Sequence, residues 1–300
     1  MKIAIKRPKN WPILQKNQKI QVIFPAFGIL DKERKKIQDF LKKWQLEAIF
    51  HQTNYPNNLK FLANSDQDRL EELQNAINDE DSNIIFCGCG GYGSARIIPD
   101  LLKSEISLKN KIFAGFSDIT SLHLYFNNYF NIPTLHSPML KQISNGDISE
   151  YSIEFLYNIL TGEKSELFYN IHPLNEFAKN IGNITLPKLL GGNLSLIQTS
   201  IATKWQINNK GNYSLFIEEY DEKSYAIDRM LNHLKNADIF SNCQAIFIGD
   251  ISKIDNQDYL IEILDDFIAQ LNIPIFKIDD IGHKRDNLAI ILGQDINILD

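Results

Sequence analysis

Short apolar runs alternate with amphipathic stretches along the first half of the chain. The runs at 19–24, 46–50 and 83–88 have the length of buried strands, and residues 31–44 and 65–79 carry apolar side chains at helical spacing, with Ser65 in the position of an N-cap. Strands that alternate with helices favour a parallel sheet covered on both faces. We therefore predict an α/β domain here, preceded by a polar surface arm at 1–18.

The alternation weakens after residue 160, where a stretch with glycines and prolines has no long helical pattern. We predict an N-terminal domain at 1–170, a linker at 171–187 and a C-terminal domain at 188–300. The elements predicted for the second domain are a helix within 191–203, strands at 213–218 and 245–250, helices at 224–235 and 259–271, and closing strands near 275 and at 288–293.

Composition narrows the class of protein. A chain of 300 residues with 44% hydrophobic and 23% charged residues is typical of a folded globular protein of two domains. A net charge of -6 gives no bulk attraction to nucleic acid or to an anionic membrane, so neither is an expected partner. No apolar run has the length of a secretory signal or a membrane span, and the three cysteines are too few for a disulfide framework. We expect a cytoplasmic protein.

The first candidate for chemistry is the stretch 111–126, in which a buried strand runs directly into a helix with Ser117 at the corner. A serine at such a corner exposes its hydroxyl beside the free N–H groups of a helix start, which is how a nucleophile is presented. The flanking residues do not match G-x-S-x-G. Taken alone, Ser117 is equally well explained as a helix cap.

The second candidate is the glycine-rich turn at 88–93, between a strand and a helix. Its glycines do not keep the spacing of a dinucleotide-binding loop, and no P-loop lysine follows. A tight turn that binds nothing is one explanation. The other is an oxyanion hole, since adjacent strand ends of a parallel sheet converge and an N–H of this turn could act with that of Asp118.

Two residues of the second domain could complete a catalytic triad. Glu218 is the first polar residue after an apolar run, so it is the carboxylate of its segment expected to stay buried. His283 follows a glycine in a loop between two strands, a setting that favours catalytic groups. Ser117, Glu218 and His283 then follow the chain order serine, acid, histidine, which is that of α/β-hydrolases.

Several motifs together resemble one known family. GGYG followed by Arg96, then GFSDIT, HSPM, GGNLSL, IEEYDE leading to DRML, and IGHKRDNLAIILG are similar in order and spacing to the motifs of the LD-carboxypeptidase family. That family includes muramoyl-tetrapeptide carboxypeptidases and microcin immunity serine peptidases. The resemblance extends over about residues 19–293.

The resemblance implies a flavodoxin-like N-terminal domain with a parallel sheet and a C-terminal mixed α/β domain of swivelling type. It implies a metal-free and cofactor-free serine peptidase of peptidoglycan turnover, which releases the terminal D-alanine of a murein tetrapeptide and commonly forms a homodimer. The residues that take the family's roles are the catalytic Ser117, Glu218 and His283, the oxyanion-hole N–H groups of Asp118 and Gly91, and the substrate-binding candidates Gly90, Tyr92 and Arg96.

The chain departs from the family at three motifs, and these departures are expected to affect substrate preference. Cys89 stands where an arginine is common before GGYG, PAFG replaces Ala-Pro-Ser-Gly, and HSP replaces His-Gly-Pro. The substrate carboxylate needs a cation or a helix N-terminus, and the sequence does not rank Arg96, Arg229, Lys284 and Arg285 for that role. Three alternatives stay open: a microcin-type amidase, an amidase using Cys89, and a non-catalytic ligand-binding protein.

Overall fold

Two sheets organise the computed structural model, which describes residues 1–51, 61–104, 108, 110–208 and 210–299. The strands are β1 (Lys2–Lys6), β2 (Lys19–Ile23), β3 (Glu47–Phe50), β4 (Ile84–Cys87), β5 (Ile112–Gly115), β6 (Thr134–His136), β7 (Glu166–Pro173), β8 (Ile184–Leu186), β9 (Leu189–Asn193), β10 (Tyr213–Tyr220), β11 (Cys243–Ser252), β12 (Ile275–Ile278), β13 (Ile290–Leu292) and β14 (Ile296–Leu299). The helices are α1 (Asp31–Lys43), α2 (Asp66–Asn78), α3 (Ser94–Leu101), α4 (Thr120–Leu124), α5 (Leu140–Asn145), α6 (Glu150–Leu160), α7 (Glu176–Lys179), α8 (Leu194–Thr199), α9 (Ser224–Asn236) and α10 (Gln257–Ala269).

The first sheet has the strand order β3-β2-β4-β5-β6, all parallel, with β13 added antiparallel at the β6 edge. This is the flavodoxin-like order, as expected from the sequence. Every residue of β4 and β5 is buried, because helices cover both faces of the sheet. The predicted N-cap of α2 is also present, since the Ser65 side chain accepts the N–H of Asp68.

The second sheet is mixed and has the order β8-β14-β1-β7-β12-β11-β10-β9. Strands β9 to β12 are parallel, and the remaining pairs are antiparallel. The predicted helix within 191–203 begins only at Leu194, because Gly191 and Gly192 belong to β9. A β-carbon at Gly191 would lie 1.9 Å from the Phe216 carbonyl oxygen, so glycine is required for β9 to pair with β10.

Two predictions about the ends of the chain are wrong. The expected surface arm contains β1, which pairs with β7 and β14, and its Ile3 and Ile5 are buried. The strand expected to close the second domain is β13, which instead pairs with β6 in the first sheet. Strand β7 also runs into the predicted linker and belongs to the second sheet. The exact domain limits stay a prediction.

Because strands are exchanged, the two sheets share a core. One continuous cluster of buried side chains contains Ile3 of β1, Phe216 of β10 and Ile290 of β13. The carboxyl ends of β2, β4 and β5 lie at one edge of the first sheet, so the segments that follow them meet there. Among the described residues, no helix has both the length and the hydropathy needed to cross a membrane.

Candidate active site

Ser117 forms a sharp corner between β5 and the α4 segment. Its backbone has φ of 60°, in the left-handed region, and it starts a 3₁₀ turn that ends at Ile119. A residue with a β-carbon pays about 1–2 kcal/mol for this conformation. Gly115 permits the approach to the corner, since a β-carbon there would lie 2.9 Å from Cys87 Cβ on β4. The fold thus holds a half-buried serine in a strained conformation.

The strain gives a prediction about stability. Ser117→Ala keeps the β-carbon in the left-handed conformation, whereas Ser117→Gly removes it, so we expect the glycine variant to be more stable by roughly 0.5–1 kcal/mol. Urea unfolding of both variants measures the difference. At Ser121, inside α4, the same pair of substitutions should give the opposite order, because glycine weakens a helix. Equal stabilities of the two Ser117 variants would contradict the assigned strain.

The carboxylate of Asp118 fixes the glycine-rich turn against this corner. It accepts hydrogen bonds from the N–H groups of Gly93 at 3.3 Å and Ser94 at 2.8 Å, and the Ser94 hydroxyl donates to the Asp118 carbonyl at 2.6 Å. Burial raises the pKa of Asp118, and these hydrogen bonds partly oppose that effect. The contacts place the turn after β4 directly beside the corner after β5, as the sequence predicted.

The backbone of the turn leaves two N–H groups free near Ser117. Within the described residues, the N–H groups of Gly91 and Asp118 donate to no acceptor. Gly91 has φ of 105°, a conformation that turns its amide away from the regular strand direction. A β-carbon at Gly90 would lie 3.5 Å from Ser117 Cβ, which shows how close the turn comes to the hydroxyl-bearing residue. This arrangement has the composition of an oxyanion hole.

Glu218 and His283 form a hydrogen-bonded pair next to the corner, in which Glu218 is buried and His283 is partly exposed. Glu218, near the end of β10, is 0% exposed, and its Oε2 lies 2.7 Å from Nδ1 of His283. A carboxylate only accepts, so Nδ1 carries the proton and Nε2 of the neutral ring is left as an acceptor. The imidazole lies between the rings of Phe116 and Tyr220, at centroid distances of 4.6 and 4.7 Å.

A cavity of about 220 Å³ brings these groups together. Ser117 and His283 both line it, as do Gly90 and Gly91. The other lining residues are Phe27, Cys89, Phe116, Met139, Lys141 and Gln142. In the described part of the chain, the Ser117 hydroxyl makes no hydrogen bond, to His283 or to any other group. Catalytic hydrogen bonds are often long in ligand-free enzymes and tighten when substrate binds.

Two predicted substrate-binding residues lie outside the cavity lining. Arg96 forms a two-pronged ion pair with Asp66, with contacts of 2.7 to 3.1 Å. Tyr92 is exposed and packs on Phe61, which in turn packs on Phe27 of the cavity wall. Tyr92 is therefore near the cavity rim, whereas the guanidinium of Arg96 is already occupied.

The other candidate cations also lie outside the cavity lining. Arg229 lies over the ring of Tyr225, and Lys284 forms an ion pair with Asp250 at 2.7 Å. Arg285 is exposed and does not line the cavity. Of the lysines and arginines that the structure describes, Lys141 is the one that lines it, and the sequence interpretation missed this residue. The sequence feature that could have identified Lys141 is its position shortly after β6. The chain there leaves the same edge of the sheet at which the glycine-rich turn and Ser117 lie.

A buried histidine supports the strand that carries the nucleophile. Nε2 of His123 donates to the Gly115 carbonyl at 2.8 Å, and its Nδ1 accepts from the Thr134 hydroxyl at 2.9 Å. Burial lowers the pKa of His123 to about 4. The residue therefore joins β5 to β6 as a neutral ring.

This lowered pKa predicts acid sensitivity. The unfolded chain takes up a proton on His123 near pH 6.5, but the folded protein resists it until pH falls to about 4. Stability linked to this residue is present above pH 6.5 and declines by about 3 kcal/mol as pH falls to 4. Urea unfolding measures the difference in the free energy of unfolding between the wild type and His123→Asn, and we expect this difference to shrink as pH falls from 6.5 to 4. The corresponding difference between the wild type and the exposed-site variant His233→Asn should not shrink. A pH-independent difference for His123→Asn would contradict the assignment.

No metal site is evident in the described ranges, where no three His, Cys, Asp or Glu side chains cluster. Burial raises the pKa of the Cys89 thiol in the cavity wall. The groups available for chemistry are therefore a hydroxyl, an imidazole paired with a carboxylate, backbone N–H donors and one ammonium. This set is suited to acyl transfer.

Comparison with known proteins identifies the family to which the chain is related. The sequence-family model of the LD-carboxypeptidase N-terminal domain matches residues 20–137. The family model of the C-terminal domain matches residues 187–298. A Rickettsia conorii protein with a provisional carboxypeptidase name is 37% identical over 95% of this chain and 89% of its own length. A Bacillus subtilis protein named a probable murein peptide carboxypeptidase is 31% identical over 93% of this chain and 88% of its own.

A solved structure shares the fold over nearly the whole chain. Muramoyltetrapeptide carboxypeptidase from Oxalobacter formigenes superposes with a TM-score of 0.78, covering 94% of this chain and 99% of that one at 22% identity. Because the two sequences are only 22% identical, the superposition is evidence for the fold alone. The two domain matches and the sequence relatives are evidence of common ancestry. On these grounds the chain belongs to the LD-carboxypeptidase family of peptidases.

Proposed function

We propose that the protein is a serine-type LD-carboxypeptidase that releases the terminal D-alanine from peptidoglycan-derived tetrapeptides. The observation that carries the proposal is the cavity in which Ser117 and His283 meet, with His283 bonded to the fully buried Glu218. The names of the Bacillus subtilis and Oxalobacter formigenes proteins support a murein peptide as the substrate class.

In the proposed mechanism, Nε2 of His283 takes the proton of the Ser117 hydroxyl as Oγ attacks the carbonyl carbon of the last peptide bond. Glu218 holds the ring in the required tautomer and stabilises the imidazolium that forms. The N–H groups of Gly91 and Asp118 bind the developing oxyanion.

Breakdown of the tetrahedral intermediate completes the cycle. The imidazolium of His283 gives its proton to the nitrogen of the departing D-alanine, and the remaining tripeptide is left as an ester of Ser117. A water molecule, activated by the same imidazole, then attacks the ester carbonyl and regenerates the serine hydroxyl.

The cavity supports cleavage near the end of a chain. Its volume of about 220 Å³ is below the roughly 300–1,000 Å³ of pockets that enclose a drug-sized ligand, and suits one small residue beyond the scissile bond. The rest of the substrate peptide, before the scissile bond, would lie over the rim, where Tyr92, Phe61 and Phe27 form a row of aromatic rings. Gly90 would contribute backbone to this binding surface, while any part played by Arg96 would be through its ion pair with Asp66.

Cys89 shares the cavity with Ser117, but two features disfavour it as the nucleophile. Burial raises the pKa of its thiol, which lowers the fraction of reactive thiolate. No hydrogen bond in the described residues links its sulfur to His283, whose Nδ1 is taken by Glu218. A role in cell-wall recycling and a homodimeric state belong to the same proposal and rest on the family resemblance. A cytoplasmic location is proposed from the sequence.

The test is a substrate panel. Purified wild-type protein is incubated with murein tripeptide, tetrapeptide and pentapeptide and with an aminoacyl-nucleotide conjugate, and the products are followed by mass spectrometry. We expect D-alanine and tripeptide from the tetrapeptide alone. Cleavage of only the nucleotide conjugate would favour a microcin-type amidase, and no cleavage of any substrate would favour a ligand-binding protein.

A further inference from the structure

The catalytic cavity contains a cation with no role in the mechanism described so far. Among the described residues that line it, Lys141 is the one with a permanent positive charge. Lys141 is the second residue of α5, and its backbone N–H donates to the Gly88 carbonyl at 3.1 Å. Its backbone is therefore bonded to the glycine-rich turn that approaches Ser117.

Lys141 is held in place and kept charged by α1. Its Nζ lies 3.0 Å from Oε1 of Glu33, whose other oxygen accepts the Leu30 N–H at 2.7 Å. Burial opposes the charge of Lys141, but the contact with Glu33 prevails and raises the pKa of the ammonium. An ammonium has three donors, and within the described part of the chain only the one toward Glu33 is used.

Lys141 and the nucleophile line the same small cavity. A β-carbon at Gly90 would lie 3.5 Å from Ser117 Cβ and 2.7 Å from Met139 Cε, and Lys141 follows Met139 by two residues. A substrate whose carbonyl lies over Ser117 and Gly91 therefore has Lys141 within the same small cavity. One small residue spans such a cavity.

We propose that Lys141 binds the α-carboxylate of the residue that is released, and so makes the site select peptides with a free C-terminus. This inference rests on the proposed function. It gives the ammonium a second anionic partner besides Glu33, through charge-assisted hydrogen bonds of the kind that lysine makes with carboxylates. The four cations named from the sequence are less suited, since none of them is among the described residues that line the cavity.

The test compares a murein tetrapeptide with its C-terminal carboxamide. The wild type should prefer the free acid. Lys141→Gln should lower kcat/KM for the acid by roughly ten- to a hundredfold, mainly through KM, and leave the amide nearly unchanged, so that the preference collapses. Lys141→Arg should retain the preference, because it keeps the charge.

The matched control is Lys36→Gln. Lys36 also joins α1 to α5, through a 2.9 Å hydrogen bond to Asn145, but it is exposed and lies outside the cavity. Lys36→Gln should leave kcat/KM unchanged for both substrates. Calorimetric titration of both peptides into Ser117→Ala, with and without Lys141→Gln, separates binding from turnover and shows whether the variant is folded.

The outcomes distinguish a failure of the Lys141 assignment from a failure of the proposed function. If the wild type releases D-alanine and Lys141→Gln keeps the full preference for the acid in both kinetics and titration, the assignment of Lys141 is overturned and the proposed function stands. If the wild type leaves the tetrapeptide intact and the Ser117→Ala protein does not bind it, the proposed function fails and the carboxylate site fails with it.

Discussion

Ser117→Ala should reduce the release of D-alanine from murein tetrapeptide by about six orders of magnitude, to the limit of detection. The loss is this large because the hydroxyl is the atom that forms the covalent bond, and neither the imidazole nor the oxyanion hole can replace it. Substrate binding should survive, since the cavity wall is unchanged. Single-turnover assays with enzyme in excess measure the loss, and calorimetry measures the binding.

The control for this experiment is Ser121→Ala. Ser121 is buried in α4, four residues beyond the corner, and does not line the cavity. Its substitution should leave the rate close to that of the wild type. A Ser117→Ala protein that is folded and still releases D-alanine at more than a small fraction of the wild-type rate would show that another residue attacks the peptide.

Glu218→Gln should lower kcat by roughly four orders of magnitude with little change in KM, as expected when a triad carboxylate is replaced by its amide. The amide can present its NH₂ to Nδ1, so that Nε2 carries the proton and can no longer accept one from Ser117. It also fails to stabilise the imidazolium that forms as Ser117 attacks. Steady-state kinetics on the tetrapeptide measure both parameters.

Glu219 provides a control that is matched in sequence and burial. It is 2% exposed, but its carboxylate accepts hydrogen bonds from Asn193 Nδ2 at 2.8 Å and from the Ser195 N–H and hydroxyl at 2.7 Å. Glu219→Gln should therefore affect stability more than activity. Equal losses of kcat in the two variants would mean that Glu218 acts through the packing of β10 and not through His283.

Local patterns were sufficient to predict most of the parallel sheet. The apolar runs that became β2, β4 and β5 are short, buried on both faces and followed by clear turn or helix signals. The same signals placed the glycine-rich turn and Ser117 at one edge of the sheet. Glu218 and His283 were both candidates from their own settings, and the family resemblance agreed with them. Their contact itself could not be derived locally, because 65 residues separate them and no local pattern links a strand end to a distant loop.

The errors came from contacts between distant parts of the chain. Strand β1 has apolar residues only from Ile3 to Ile5 between two lysines, and its partners in β7 and β14 are too far along the sequence to be inferred from it. The exchange of β13 into the first sheet has the same origin. Lys141 was missed because its place in the cavity wall depends on which side of the short helix α5 faces the cavity.

The central claim is that Ser117 is the nucleophile of a peptidase whose cavity it shares with Cys89. The most direct test treats the wild type with a tetrapeptide analogue carrying an activated phosphonate ester in place of the last peptide bond, followed by tryptic peptide mapping. Trypsin separates the two residues, since Ser117 lies in the peptide 112–141 and Cys89 in the peptide 70–96. We predict one adduct, on Ser117, that is absent from Ser117→Ala. An adduct on Cys89, or an unmodified enzyme that still releases D-alanine, would contradict the account.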